Sequence, residues 1–238
     1  MRRFPLLNVI NFDKLTQAGN LANLSSVASL PNYRFVRGDV CDYEAVLDAI
    51  PRACDAVVHF AAESHVDRGI KGTRELVMTN VVGTQVLLDA ARERKVGRFL
   101  YISTGEAGGS LGPDQWLTED SPLDPRSAYS AGKASAEHHV RAAGTSSGLD
   151  FTITRTGNNY GPHQFPEKLL PLAICNLLDG RPVPVYGDGL HVRDWIHVED
   201  TCRALNKVLF DGRRPNLSHR RRPSTHQSGS PEGPAGGS

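Results

Sequence analysis

Residues 98–106 read RFLYISTGE: four apolar side chains, Phe99 to Ile102, give way at once to Ser103, Thr104, Gly105 and Glu106. A short run that is apolar on both sides of its pleat marks a strand covered by helices on both faces. Working outward, runs of the same kind occur at 8–12, 34–37, 56–60 and 151–154, and between them lie segments of helical period at 43–50, 73–94, 128–143, 168–179 and 199–210. Within 73–94, Leu76, Val77, Asn80, Val81, Thr84, Leu87, Leu88 and Ala91 recur every three or four residues, the spacing of one helix face. Strands that alternate with helices predict an α/β fold around a mostly parallel sheet.

The chain has 238 residues, with 27 Lys+Arg against 26 Asp+Glu and a formal charge of +1. Its length allows one to two domains and a sizeable core. Near-neutrality lacks the electrostatic footprint of a nucleic-acid binder, so no nucleic acid is expected as a partner. Cys41, Cys54, Cys175 and Cys202 stand without a CxxC pair, so they read as neither a zinc site nor a disulfide framework. His59 and His65 read as packing or hydrogen-bonding residues, and no metal is expected. Unpaired cysteines fit a reducing compartment. The opening MRRFPLLNVINFD, interrupted by Asn8, Asn11 and Asp13, makes a poor signal peptide, and no stretch approaches the roughly 18 apolar residues of a membrane span. The expectation is a cytoplasmic protein that meets no membrane. From 217 the sequence turns to LSHRRRPSTHQSGSPEGPAGGS, which cannot bury enough surface to offset its ordering entropy; 217–238 is expected to be a disordered tail.

Tyr129 and Lys133, in AYSAGKASAE, are four residues apart and share one helix face. An ammonium beside a phenol favours the phenolate, which would make the tyrosine a usable base near neutral pH. Alone, such a pair is an unspecific signal. Thr104 and Glu106 sharpen it, because they end a parallel strand, where open α/β sheets bind their ligands. The strand before it ends in the small Ala61 and Ala62, room for a flat cofactor, and the first strand ends at Asp13, suited to ribose hydroxyls. Asp39, at the end of the second strand, is placed to meet an adenine edge. Four strand ends therefore converge on one crevice.

The ordered series RFVRGDVCD, VHFAAESHVDRGI, TNVVGTQVLL, STGEAGGS, YSAGKASAEH, TRTGNNYGPHQFPEKLLPL and VPVYGDGLHVRDWIHVED resembles the dTDP-glucose 4,6-dehydratases of the extended short-chain dehydrogenase/reductase superfamily, from about residue 8 to about residue 210. The resemblance implies a Rossmann-like doubly wound sheet, NAD as cofactor, a nucleotide sugar as substrate and a homodimer built on helices near 73–94 and 128–143. Cofactor contacts implied are Asp13, Lys14, Leu15, Thr16, Asp39, Val40, Ala61, Ala62, Glu63, Ser64, Thr79, Tyr129, Lys133 and Asn159. Substrate contacts implied are Ser64, Thr104, Asn158, Lys168, Leu169, Pro184, Val185, Tyr186 and Arg193. In enzymes of this type tyrosinate takes the sugar 4-hydroxyl proton as hydride leaves C4, a Glu takes the C5 proton while an Asp protonates the departing 6-hydroxyl, and hydride returns to C6. Tyr129, Lys133, Thr104 and Glu106 are thereby the expected catalytic residues.

Three departures qualify that expectation. Where the family reads STDE this chain has Ser103, Thr104, Gly105 and Glu106, so the general acid is replaced by glycine. Acid assistance contributes typically about 10²- to 10⁴-fold, and water loss is expected to be impaired. The resemblance also starts at the family's second strand, so a fold lacking its first strand and glycine-rich turn is expected, with no helix N-terminus for a pyrophosphate. The third departure is the change of composition after Asn216, which leaves the small substrate domain incomplete. The expected division is a partial NAD-binding domain at 1–156, a partial nucleotide-sugar-binding region at 157–216, and the tail. Two further functional readings stand beside the dehydratase: a non-catalytic fragment or pseudoenzyme, and a nucleotide-sugar 4-epimerase, which needs Thr104, Tyr129 and Lys133 but neither acid nor base at 105 and 106.

Overall fold

The first strand, β1 (Val9–Asp13), runs parallel to β2 (Tyr33–Arg37), with Val9 opposite Tyr33 and Asp13 opposite Arg37. The computed structural model to which they belong describes residues 6–64, 73–110, 115–185, 187–211 and, as backbone, 216–219. Helix α1 (Tyr43–Ala49) starts where the Asp42 carboxylate accepts from the Ala45 amide, an N-cap reinforced by Glu44 in the first turn. After β3 (Val57–His59), α2 (Thr73–Val77) passes through a π turn (Met78–Val82) into α3 (Gly83–Arg94). β4 (Phe99–Thr104) leads through a 3₁₀ turn (Gly105–Gly108) towards α4 (Ala128–Ser147). Ser127 and Ser130 close a reciprocal capping box on α4, and Gly148 at φ 69° ends it.

β5 (Phe151–Thr156) is followed by two short strands, β6 (Asn158–Tyr160) and β7 (Trp195–His197), which pair with each other. Between them lies α5 (Leu169–Leu178), with Pro171 tolerated in its first turn. α6 (Val198–Asp211) and β8 (Asn216–His219) complete the chain.

The main sheet has the order β3-β4-β5-β8, all pairs parallel, with β1 and β2 forming a separate pair. Helices cover both faces of the main sheet, as expected for a Rossmann-like doubly wound fold. On one side Phe99, Tyr101 and Ile153 pack with Val46 of α1, Leu87, Leu88 and Ala91 of α3 and Ala136 and Val140 of α4, and Phe12 of β1 joins the same cluster. On the other, Leu100 packs on Leu205 and Val208 of α6. The two sheets thus share a core without sharing a hydrogen-bond ladder among the described residues.

Two sequence expectations need correction. The stretch expected to be tail from 217 contributes Leu217, Ser218 and His219 to β8, opposite Thr154, Arg155 and Thr156; a strand edge on β5 supplies backbone partners that composition does not reveal. Residues beyond 219 lie outside the described ones. The long helix expected at 73–94 carries a π turn in its middle, and such turns gather at functional sites. Among the described residues no helix is long and apolar enough to cross a membrane.

Candidate active site

β4 ends at Thr104, whose hydroxyl caps the 3₁₀ turn by accepting from the Glu106 amide at 3.2 Å. That turn holds Glu106 beside the mouth of α4. Tyr129 sits in the first turn of α4, where its phenol lies close to Thr104 and feels the charge of Glu106. Lys133, one turn further, is 3% exposed and donates from Nζ to Ile102 O at 2.8 Å, with the Tyr101 ring 4.9 Å away. Tyr129, Lys133, Thr104 and Glu106 are therefore brought together at the carboxyl end of β4.

The electrostatics correct one expectation. The phenol of Tyr129 is pushed up to about 12, first by burial and then by Glu106, with the neighbouring Thr104 hydroxyl pulling the other way. Burial lowers Lys133 to about 8, against the opposing charge of Glu137. In this arrangement desolvation outweighs any help from the ammonium, so the phenol is the stable form at neutral pH. The backbone is also open at position 105: a Cβ there would meet only Thr156 O, at 3.5 Å, an ordinary contact.

At the other strand ends, Asp13 Oδ1 accepts from the Leu15 amide at 2.7 Å, and Leu15 takes φ 54°, so the turn after β1 is built around the carboxylate. Thr16 lies exposed just beyond it. Lys14 pairs with Asp39 at 2.6 Å, and Val40 next to it is buried against α3, where a Cβ on Gly83 would come within 2.6 Å of Val40 Cγ2. After β3, Ala61 and Ala62 are half-buried, and the backbone of Glu63 is clamped from both sides by Asn80: its amide donates to Asn80 Oδ1 at 2.8 Å and its carbonyl accepts from Nδ2 at 2.9 Å. Thr79 precedes that asparagine in the π turn. Asn80 and the relay behind it were not singled out in the sequence: the Thr84 hydroxyl donates to Asn80 O at 2.7 Å, leaving its oxygen to accept from His59 Nε2 at 2.9 Å. His59 is a buried, hydrogen-bonded residue as expected, held neutral by burial.

On the substrate side, Lys168 Nζ reaches Ser64 O at 3.0 Å, joining the start of α5 to the segment after β3, with Leu169 next to it on the helix. The Asn158 amide donates to Asp194 O, and Asn159 is held internally by Thr201 and Gly157. Pro184, Val185 and Arg193 lie exposed in the 179–194 connection, and among the described residues no hydrogen bond joins them to the Tyr129 cluster. Tyr186 lies outside the described residues. No group of three metal-ligating side chains occurs among the described residues.

A family model described as the NAD dependent epimerase/dehydratase family matches residues 5–217. A dTDP-glucose 4,6-dehydratase of Streptomyces niveus is 50% identical over 207 residues, 87% of this chain and 61% of its own length. One from Neisseria meningitidis serogroup B is 50% identical over 216 residues, covering 86% of this chain and 61% of that protein. The crystal structure of DesIV, a dTDP-glucose 4,6-dehydratase from Streptomyces venezuelae with NAD bound, superposes with a TM-score of 0.86 at 47% identity, covering 91% of this chain and 68% of that one. The chain thus spans about three fifths of the length of those two curated relatives.

Proposed function

The chain belongs to the NAD dependent epimerase/dehydratase family, and on that premise we propose that it binds NAD along the carboxyl ends of its strands and acts on dTDP-glucose or a close nucleotide sugar, as a 4,6-dehydratase impaired in water loss. One observation carries this reading: the Tyr129 phenol lies within the field of Glu106 and beside Thr104 at the end of β4, with Lys133 one turn away on the same helix. NAD, when bound, supplies a hydride acceptor and a positive ring. Asp13, Lys14, Leu15 and Thr16 hold its adenosine ribose, Asp39 and Val40 its adenine, and Ala61, Ala62, Glu63, Ser64, Thr79 and Asn159 its remaining wall. The residues present suit both ends of the dinucleotide: a carboxylate closes β1, and two alanines on a backbone fixed by Asn80 close β3.

In this scheme the positive ring of NAD, when bound, would favour the tyrosinate, and Tyr129 Oη so deprotonated receives the proton of the sugar 4-hydroxyl, with Thr104 steadying the same oxygen. Glu106 takes the C5 proton, made acidic by the 4-ketone. The departing 6-hydroxyl also needs a proton, and Gly105 has none to give; water must serve, at a cost in rate of about 10²- to 10⁴-fold. Asn158, Lys168, Leu169, Pro184, Val185, Tyr186 and Arg193 grip the nucleotide sugar, Arg193 through the two parallel hydrogen bonds a guanidinium offers a phosphate. A dimer through α2–α3 and α4 is part of the same reading, supported by the exposed Val77, Met78 and Val82. Four free cysteines suit a reducing cytoplasm. We divide the chain functionally into a cofactor half at 1–156 and a sugar-nucleotide half at 157–216.

Incubation of the protein with dTDP-glucose and NAD tests the proposal. Slow formation of a 4-keto-6-deoxy product is expected, and absence of both product and bound NAD would overturn it in favour of a non-catalytic role. The glycine at 105 also favours a second reading, a 4-epimerase, because inversion at C4 requires Thr104, Tyr129 and Lys133 alone. Appearance of the 4-epimer in the same incubation, without a deoxysugar, would select it.

A further inference from the structure

Glu137 is wholly buried, and the scheme above gives it nothing to do. It lies on α4 one turn beyond Lys133, yet the Lys133 ammonium donates to Ile102 O, and no ion pair joins Lys133 to Glu137 among the described residues. The cause is Arg155 on β5. Its Nε donates to Glu137 Oε1 at 3.0 Å and its Nη2 to Oε2 at 2.8 Å, so the planar guanidinium occupies both carboxylate oxygens. Arg155 is itself only 6% exposed and stands opposite Ser103 in the β4–β5 ladder, one residue before Thr104. Arg141, on the exposed side of α4, approaches the same carboxylate only to 3.9 Å. A buried ion pair roughly regains the desolvation it costs, and a hydrophobic pair would hold helix to strand at least as well. Adhesion alone does not account for three charges packed behind the candidate base.

We propose that Glu137 and Arg155 are positioning residues for Lys133: Glu137 keeps the buried ammonium charged, and Arg155 occupies the carboxylate so that the ammonium stays on Ile102 O instead of closing onto Glu137. This rests on the reading of Lys133 as part of the catalytic pair. The titratable and charged groups around Lys133 are Glu137 one turn on along α4, Tyr101 on β4 and His59 on β3, with Arg155 on β5 beyond the carboxylate. Of these, Glu137 is the one that opposes the downward pull of burial on Lys133, while Lys133 in turn disfavours charge on His59.

The test is a titration of the ligand-free chain carrying lysine labelled with ¹³C at Cε, the Lys133 resonance assigned by its loss in Lys133→Arg. Glu137→Gln removes the opposing charge and leaves a guanidinium unpaired, and both effects lower the Lys133 midpoint, by about one unit or more. Arg155→Met removes a repelling charge and frees the carboxylate, and both effects raise it by a similar amount. The double variant Glu137→Gln/Arg155→Met removes the pair together, and its midpoint returns most of the way towards the starting one. Unmoved midpoints in the single variants, or shifts of the same sign in both, would overturn the proposal. Loss of the folded circular dichroism spectrum in the double variant would do so too, by making the pair a folding requirement. The titration reads a charge state without substrate, so its failure is distinct from a failure to form product.

Discussion

Position 105 is where one side chain decides between chemistries. A Cβ on Gly105 would touch nothing closer than Thr156 O at 3.5 Å, so the backbone accommodates a side-chain branch point without rearrangement. Gly105→Asp is expected to raise the rate of 4-keto-6-deoxy product formation by about 10²- to 10⁴-fold while leaving stability nearly unchanged, read by product assay and thermal melt side by side. A second residue-level prediction concerns His59, whose protonation burial holds down to about 3. Its unfolded counterpart titrates near 6.5. Between those values the unfolded chain binds a proton that the folded chain refuses, so the stability tied to a neutral ring is complete above pH 6.5 and is lost as pH falls towards 3. Between pH 6.5 and 5 the loss is about 2 kcal/mol at 1.36 kcal/mol per unit. His59→Gln should flatten that part of the curve, seen as a smaller drop in urea midpoint between pH 7 and pH 5.

Among the elements, α3 and α4 carry the site because small residues let them approach their neighbours. A Cβ on Gly83 would lie 2.6 Å from Val40 Cγ2 and 3.5 Å from Cys41 Sγ. Alanine is the better helix former by up to about 1 kcal/mol, yet here overpacking prevails, and Gly83→Ala is expected to destabilise by about 1–3 kcal/mol, a fall of about 2–4 °C in Tm per kcal/mol. The strands that frame this region were legible in the sequence because FLYI, VVH and FTIT are apolar or β-branched on both pleat faces. β6 and β7 were not: NNY and WIH are three residues each, too short for a period to show, and their pairing is joined by the Asn158 amide donating to Asp194 O, thirty-six positions away. The site divides in the same way. Tyr129, Lys133, Thr104 and Glu106 are near a strand end or on one helix face, so spacing reveals them. Asn80 acts through a π turn that apolar periodicity cannot report, and Arg155 and Glu137 meet across helix and strand, where neither residue's neighbours in sequence hint at the other.

For the whole molecule the governing feature is a core shared by two sheets that have no ladder in common among the described residues. Phe12 packs into the cluster formed by Phe99, Tyr101 and Ile153, whereas among the described residues β1 ladders with β2 and with no strand of the main sheet. Side-chain packing without hydrogen bonding gives lower local stability, so amides of Val9–Asp13 are expected to exchange with solvent faster than those of Phe99–Thr104; equal protection of the two strands in native-state hydrogen exchange would contradict this. The contact from Lys168 to Ser64 has a last consequence. Its ammonium rests on a neutral carbonyl only while nothing anionic is near, and an arriving diphosphate would draw it away. The wall at 61–64 would then lose its tether as the sugar docks, so the order in which the two ligands arrive becomes a property of this lysine.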